Sequence, residues 1–415
     1  APQVSKFPGT RFAWRGQSIL HSDCGSLPEC HCTDTMTHPF KLQVEGWRGI
    51  SHSYALVNQF QLLEWAKSPQ IQLSHLDKPF FFDNWGKTRN PAGLFEQDQA
   101  LIDKLAPSDE FDGVFRIYSP FNLDPVPGKR VGVFMVTEFG LDVTTTPLQN
   151  IPQFVGEGGF IATPSRWSFE RLVANGIPEA AIQIVPHSVD SRYFAPASAP
   201  TIQQQRQALG FQPHEVLLLN VGTQHWAKGM DLLLRAFAMA RKVRKDLRLV
   251  LKDQRNTYST NTEEFVVQTL KEHDLLSDEV IQAITMIPVN LSLSELNALY
   301  NMADAYVSPY RAEGYNLPVR EALACLTPVI ATRGGATDDF LAGPLVTQIG
   351  GVRHENHPLK QEIPVNAFIE PDLAELTARL LLSQRKPIPP ESALSVQSDW
   401  SVATAAINLR LGIPA

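Results

Sequence analysis

The chain has 415 residues, 43% hydrophobic and 19% charged, with a formal net charge of -7. That length exceeds what one hydrophobic core organises and implies two domains of globular packing. The acidic balance leaves no electrostatic footprint for nucleic acid, and no apolar run approaches the roughly 20 residues that cross a bilayer. The N-terminal APQVSKFPG lacks a signal-peptide core, so the chain reads as cytoplasmic. Peripheral membrane association through a local basic patch is compatible with that reading.

Residues 1–39 read as an irregular extension in which Cys24, Cys30 and Cys32 lie among His21, His31 and His38. The C-x5-C-x-C spacing does not fit the paired cysteines of structural zinc sites. No metal is expected there, and the thiols are read as reduced or joined in a disulfide.

Residues 40–195 carry strand-like runs at KLQVE, IQLSH, GVFRIY, RVGVFMVT, GFIAT and AIQIV, with helices at SYALVNQFQLLEWAK and SRWSFERLVANG. Such an alternation predicts an α/β domain with a parallel sheet. Gly46 and Gly49 fall between the first strand and helix, where Gly49 permits close backbone approach to a ligand. His52 is either a helix-start residue or a polar cleft contact. The strand VGVFMVT ends in Thr137 and Glu138. A glutamate at the carboxyl end of a buried strand accepts a hydrogen bond from a ligand hydroxyl or caps a neighbouring helix.

Residues 196–213, polar and proline-rich, read as a linker, and residues 214–390 as a second α/β domain. Its strand EVLLLNV is followed by VGTQHWAKGMDLL, in which Gly222 allows a tight turn and Lys228 stands before a helix where it can reach a diphosphate. This is not a P-loop, because G-x4-GK[ST] is absent. In SLSELNALYNM, Ser292 and Glu295 form a capping box, with Leu296, Leu299 and Tyr300 at core-facing spacing. The segment EGYNLPVRE then places Glu313 and Glu321 eight residues apart, with Asn316 as cap and Pro318 in the first turn of a helix. The amides of Gly314, Tyr315, Asn316 and Leu317 would face an anion there. Carboxylates beside a phosphate suit its ligand only as acceptors for hydroxyls, which suggests a nucleotide sugar. A C-terminal helix, residues 398–415 with Trp400 as anchor, is expected to return to the first domain.

The stretch VSPYRAEGYNLPVREALACLTPVIATRGG resembles the donor-binding signature of retaining glycosyltransferases of family 4, whose E-x7-E element lies between strand and helix. With the other landmarks the resemblance covers most of residues 40–345. It implies a GT-B fold: two Rossmann-like doubly wound domains facing a central cleft. It also implies that Lys228 is the phosphate-binding lysine of a G-R-L-x3-K-G element, that Gly49 belongs to the loop facing the diphosphate, and that Pro288 and Val289 face the nucleobase through their backbone. Thr223 stands where that element has an arginine, a departure for which Arg255 is the candidate replacement. Family members often carry a histidine where this chain has Thr137 and Glu138.

The resulting expectation is metal-independent, retaining transfer of a hexose from a nucleotide diphosphate sugar, UDP-glucose or a close relative, to a glycan or lipid-linked acceptor in polysaccharide or glycoconjugate synthesis. Glu321 is assigned to the ribose hydroxyls, Glu313 to the donor sugar, Lys228 to the leaving diphosphate and Glu138 to positioning. No cofactor beyond the donor is expected, and the absence of a D-x-D pair at a strand end fits that. An epimerase or phosphorolytic enzyme on the same scaffold, and a non-catalytic sensor of sugar nucleotides, are the alternatives.

Overall fold

The computed structural model describes residues 38–254, 261–356, 362–387 and 400–414. The cysteine cluster and Arg255 lie outside the described residues. Two parallel sheets of six strands each fall within one compact unit, Pro39–Ala415.

The first sheet comprises β1 (Phe40–Gly46), β2 (Ile71–Asp77), β3 (Gly113–Ile117), β4 (Arg130–Phe134), β5 (Phe160–Thr163) and β6 (Ile182–Ile184), in the order β2-β1-β3-β4-β5-β6. Helices cover both faces of such a sheet, so its strands read as apolar runs without alternation. Every residue of β3 is accordingly buried. Helix α1 (Ser53–Trp65) starts where His52 Nδ1 accepts the Tyr54 amide, and α2 (Glu96–Asp103), α3 (Ile151–Gly156) and α4 (Arg166–Ala174) follow.

The second sheet comprises β7 (Val216–Val221), β8 (Leu247–Lys252), β9 (Ile284–Ile287), β10 (Ala305–Ser308), β11 (Val329–Thr332) and β12 (Val346–Ile349), in the order β12-β11-β10-β7-β8-β9. In each sheet the chain first adds strands on one side and then reverses, between β1 and β3 in one and between β7 and β10 in the other. Crevices at the carboxyl ends of strands beside such a reversal are where open α/β sheets bind ligands.

The segment read as a linker is partly helical: α5 (Ala199–Ala208) starts at Ser198, whose side chain accepts the Thr201 amide. Its polar composition hides one buried stripe. Ile202 is buried, and the buried Arg206 donates to Met302 O at 2.9 Å and Asp304 Oδ2 at 3.0 Å, which pins α5 to the second half. Beyond it lie α6 (Met230–Val243), α7 (Thr262–Glu272), α8 (Asp278–Gln282), α9 (Leu293–Met302) and α10 (Leu317–Ala324). The Ser292–Glu295 capping box forms at the start of α9.

An antiparallel pair, β13 (Gly351–Glu355) with β14 (Ala367–Pro371), precedes α11 (Leu373–Leu382) and reaches the first half, where Arg171 pairs with Glu355 at 2.8 Å. Helix α12 (Ser401–Leu411) packs on α1 and β4. Trp400 stacks on Phe60 at 5.5 Å between ring centroids, and Trp65 Nε1 donates to Asn408 Oδ1 at 2.8 Å.

Candidate functional site

The EGYNLPVRE segment leaves the carboxyl end of β10 and is stitched to the turn after β7. Arg311 and Ala312 both donate their amides to Ala227 O, at 2.7 and 3.2 Å. The buried Arg311 guanidinium pairs with Asp231 at 2.7 Å and Glu370 at 2.5 Å and lies 4.7 Å over the Trp226 ring, which locks the two loops together. Gly229 makes the close approach possible. It is left-handed at φ 65°, and a Cβ there would stand 1.9 Å from Pro309 O. The consequence is an ion pair between groups 85 residues apart, Lys228 Nζ to Glu313 Oε1 at 2.5 Å. The Lys228 stem crosses above Gly222, which sits at φ 151°.

Glu313 is buried, and burial pushes its carboxyl above the usual range, with Lys228 opposing and Glu138 adding to the rise. Glu138, half-buried in the loop beyond β4 rather than at the strand end the sequence suggested, is also raised by burial and held back by Lys228. Two carboxyls from opposite halves therefore share the field of one ammonium. That arrangement makes it costlier for both to ionise together than for either alone. Glu321, on α10, is buried and pushed up to about 7 by desolvation, while its Oε2 accepts the Tyr300 hydroxyl at 2.7 Å.

Between the glutamates the backbone turns sharply. Asn316 sits at the N-cap position but does not cap with its side chain, because its φ of 74° directs Nδ2 to Ser308 Oγ at 2.9 Å; this corrects the expected capping. Pro318 is in the first turn. Gly314 O accepts from Ser165 Oγ at 2.6 Å, and a Cβ on Gly314 would lie 2.2 Å from Val136 Cγ2, so this glycine lets the halves meet closely here. Tyr315 OH donates to His187 O at 2.5 Å, and His187 is pushed down to about 3 by burial. Among the described residues, the amides of Gly314, Tyr315 and Asn316 donate to no protein group. Leu317 opens α10 beside them.

The other sequence candidates are more dispersed. Thr223 lies in the β7 turn, its carbonyl accepting the His225 amide at 2.8 Å. Pro288 and Val289 follow β9 directly, Val289 being exposed; Ile287 O is occupied by the Asp253 amide at 3.0 Å. Gly49 is covered rather than open. A Cβ there would meet Thr88 O at 2.5 Å, and its carbonyl accepts the Thr88 amide at 2.7 Å. His52 is the α1 cap, its ring pushed down to about 4 by burial.

Sequence reasoning passed over Lys252 and Tyr300. Lys252 ends β8 in register with Val221 and Ile287 and is buried, its ammonium pushed down to about 8 by desolvation while donating to Asp253 O at 2.6 Å. A lysine closing the strand run LRLVLK was the available signal. Tyr300 carried none beyond its core-facing spacing, since what it does depends on Glu321.

Residues 201–342 match the family model described as glycosyl transferases group 1. Over 216 residues the chain is 30% identical to the D-inositol 3-phosphate glycosyltransferase of Segniliparus rotundus, covering 48% of this chain and 44% of that protein. It is 29% identical over 220 residues to the GDP-mannose-dependent alpha-(1-6)-phosphatidylinositol monomannoside mannosyltransferase of Mycolicibacterium smegmatis, covering 51% and 53%. The chain thus spans about half the length of the curated relatives it matches. The solved structure of Anabaena HepE in complex with UDP and glucose aligns with 90% of this chain and 95% of its own, at TM-score 0.54 and 12% identity. The fold is GT-B. Sucrose-phosphate synthase from Thermosynechococcus elongatus aligns over 90% of this chain and 94% of its own, at TM-score 0.53 and 13% identity. Within this GT-B chain the family match contains Lys228, Glu313 and Glu321, whereas Glu138 comes from the other half.

Proposed function

We propose that the chain is a retaining, metal-independent glycosyltransferase of family 4 that moves a hexose from a nucleotide diphosphate sugar, UDP-glucose first among the donors to test, to a glycan or lipid-linked acceptor. In this reading residues 214–390 bind the donor, while residues 40–195 with the C-terminal helix bind the acceptor at a membrane-peripheral site. The observation that carries it is the Lys228–Glu313 pair at the strand reversal of the second sheet, beside unclaimed amides and the buried Glu321.

As the glycosidic bond to the leaving diphosphate breaks, negative charge collects on the phosphate oxygens. Preorganised cations and amides aimed at that charge lower the barrier. Lys228 and the amides of Gly314, Tyr315 and Asn316 hold those positions, and Lys252, one strand over, supplies the second cation that Thr223 does not. A diphosphate draws Lys228 from Glu313, which frees that carboxyl for a sugar hydroxyl. Glu321 accepts from the ribose hydroxyls. Glu138 orients the incoming hydroxyl, and the leaving phosphate takes its proton, so no separate base is needed.

The test is transfer and donor hydrolysis measured with UDP-glucose and GDP-mannose, with and without EDTA, on the wild type and on Lys228→Ala. Transfer that persists in EDTA and collapses in the variant is expected. Neither transfer nor hydrolysis with any nucleotide sugar would overturn the reading.

A further inference from the structure

We propose that a cavity of about 780 Å³ in the first half binds one uncharged pyranose ring, the acceptor sugar of the reaction proposed above, on which this assignment of substrate class rests. The cavity opens at the carboxyl edge of the first sheet. One wall is the chain leaving β2, with Lys78 and Phe81; the opposite wall is the chain leaving β3, with Tyr118, Asn122 and Asp124; Asn150 closes it from the connection after β4 that also carries Glu138. In the order β2-β1-β3 these walls flank the strand reversal, the place where an open α/β sheet binds its ligand.

The walls are pre-built. The buried Arg116 pairs with Glu45 at 3.2 Å and donates to Asn122 O at 3.1 Å and Asp124 O at 2.6 Å, which holds the second wall in place. The first is anchored by Trp47 Nε1, which donates to Pro79 O at 2.8 Å. A ring of C–H groups edged with hydroxyls suits this lining, since its apolar face covers Phe81 and Tyr118 while its hydroxyls meet Asn122, Asp124 and Asn150. The Lys78 ammonium lies 5.2 Å over the Tyr118 ring and Asp124 stands opposite, so the lining has no net charge to select an anion. An acyl chain would cover the Asp124 carboxylate and the Asn150 amide, which donates to it at 3.4 Å, without offering either a hydroxyl partner.

The test uses the full chain without nucleotide and saturation-transfer-difference NMR with a panel of methyl pyranosides. Saturation of at least one pyranoside is expected. Its affinity should fall about tenfold in Phe81→Ala and in Asp124→Ala, both exposed side chains whose loss leaves the Arg116 contacts to the backbone in place. Thermal melts confirm that both variants are folded. No signal from any pyranoside, undiminished binding in both variants, or binding only to phosphatidylinositol vesicles overturns the assignment. Because no donor is present, this outcome is separate from the transfer assay, which tests the glycosyltransferase reading itself.

Discussion

Both sheets reverse direction beside their first strand, β1 in one half and β7 in the other, and loops cup the carboxyl edge at each reversal. The contents of those loops differ. The second half buries Lys228, Glu313, Glu321 and Lys252 wholly or in large part, and burial raises the two carboxyls and lowers the Lys252 ammonium from their ordinary values. The first half presents aromatic rings and amides beside Lys78 and Asp124, with Arg116 turned into the wall. On the proposed reading, one architecture takes a charged ligand through buried ions and an uncharged one through rings and hydrogen bonds. Buried ions cost desolvation energy, and a site retains that cost where a ligand's own charge offsets it.

The largest expected effect tests whether the halves are separate stability units. Arg206→Ala leaves the buried Asp304 with only the partly exposed Arg385 at 3.3 Å as ion-pair partner and strips the Met302 and Glu215 carbonyls of their donor, which should cost about 3–5 kcal/mol. Hydrogen exchange should show the loss in β7 to β10 and spare β1 to β3; equal loss in both sheets would mean that the halves unfold as one unit.

Lys228→Ala comes next, with transfer lowered by about 10²–10³-fold, or about 3–4 kcal/mol of transition-state stabilisation. Wild-type turnover would remove the lysine from the chemistry and weaken the contrast between the edges.

Glu321→Gln addresses buried charge directly. The folded protein holds this proton up to about 7, whereas the unfolded chain releases it near 4.5, so the carboxyl destabilises the fold progressively as pH rises through that window. The variant should gain on the order of 3 kcal/mol relative to wild type between pH 5 and pH 8 while binding UDP more weakly. A difference in stability that does not change with pH would show that the carboxyl is not held protonated.

Gly314→Ala has the smallest expected effect, about 1–2 kcal/mol from overpacking against Val136. Because the clash lies between the halves, small-angle scattering should report a more open molecule. An unchanged envelope with unchanged stability would place the contact elsewhere.

The two-sheet architecture was legible because apolar runs such as EVLLLNV and PVIAT report strands buried on both faces. The helix after EGYN was legible from Pro318. Helix α5 was not, since its residues are polar except for Ile202, and the role of Arg206 depends on Asp304, 98 residues away. Strands β13 and β14 were also missed, because neither run is long or apolar enough to stand out from loop.

The sequence by itself determined the local events: which runs become strands, where α10 begins, and that two carboxylates flank a turn rich in free amides. Only the tertiary structure decided that Lys228 meets Glu313, that Glu138 arrives from the opposite half, and that Tyr300 seals Glu321 from water. The physical reason is range. Periodicity, capping and turn chemistry act within a few residues, whereas desolvation and charge coupling depend on which distant groups the packed chain brings together.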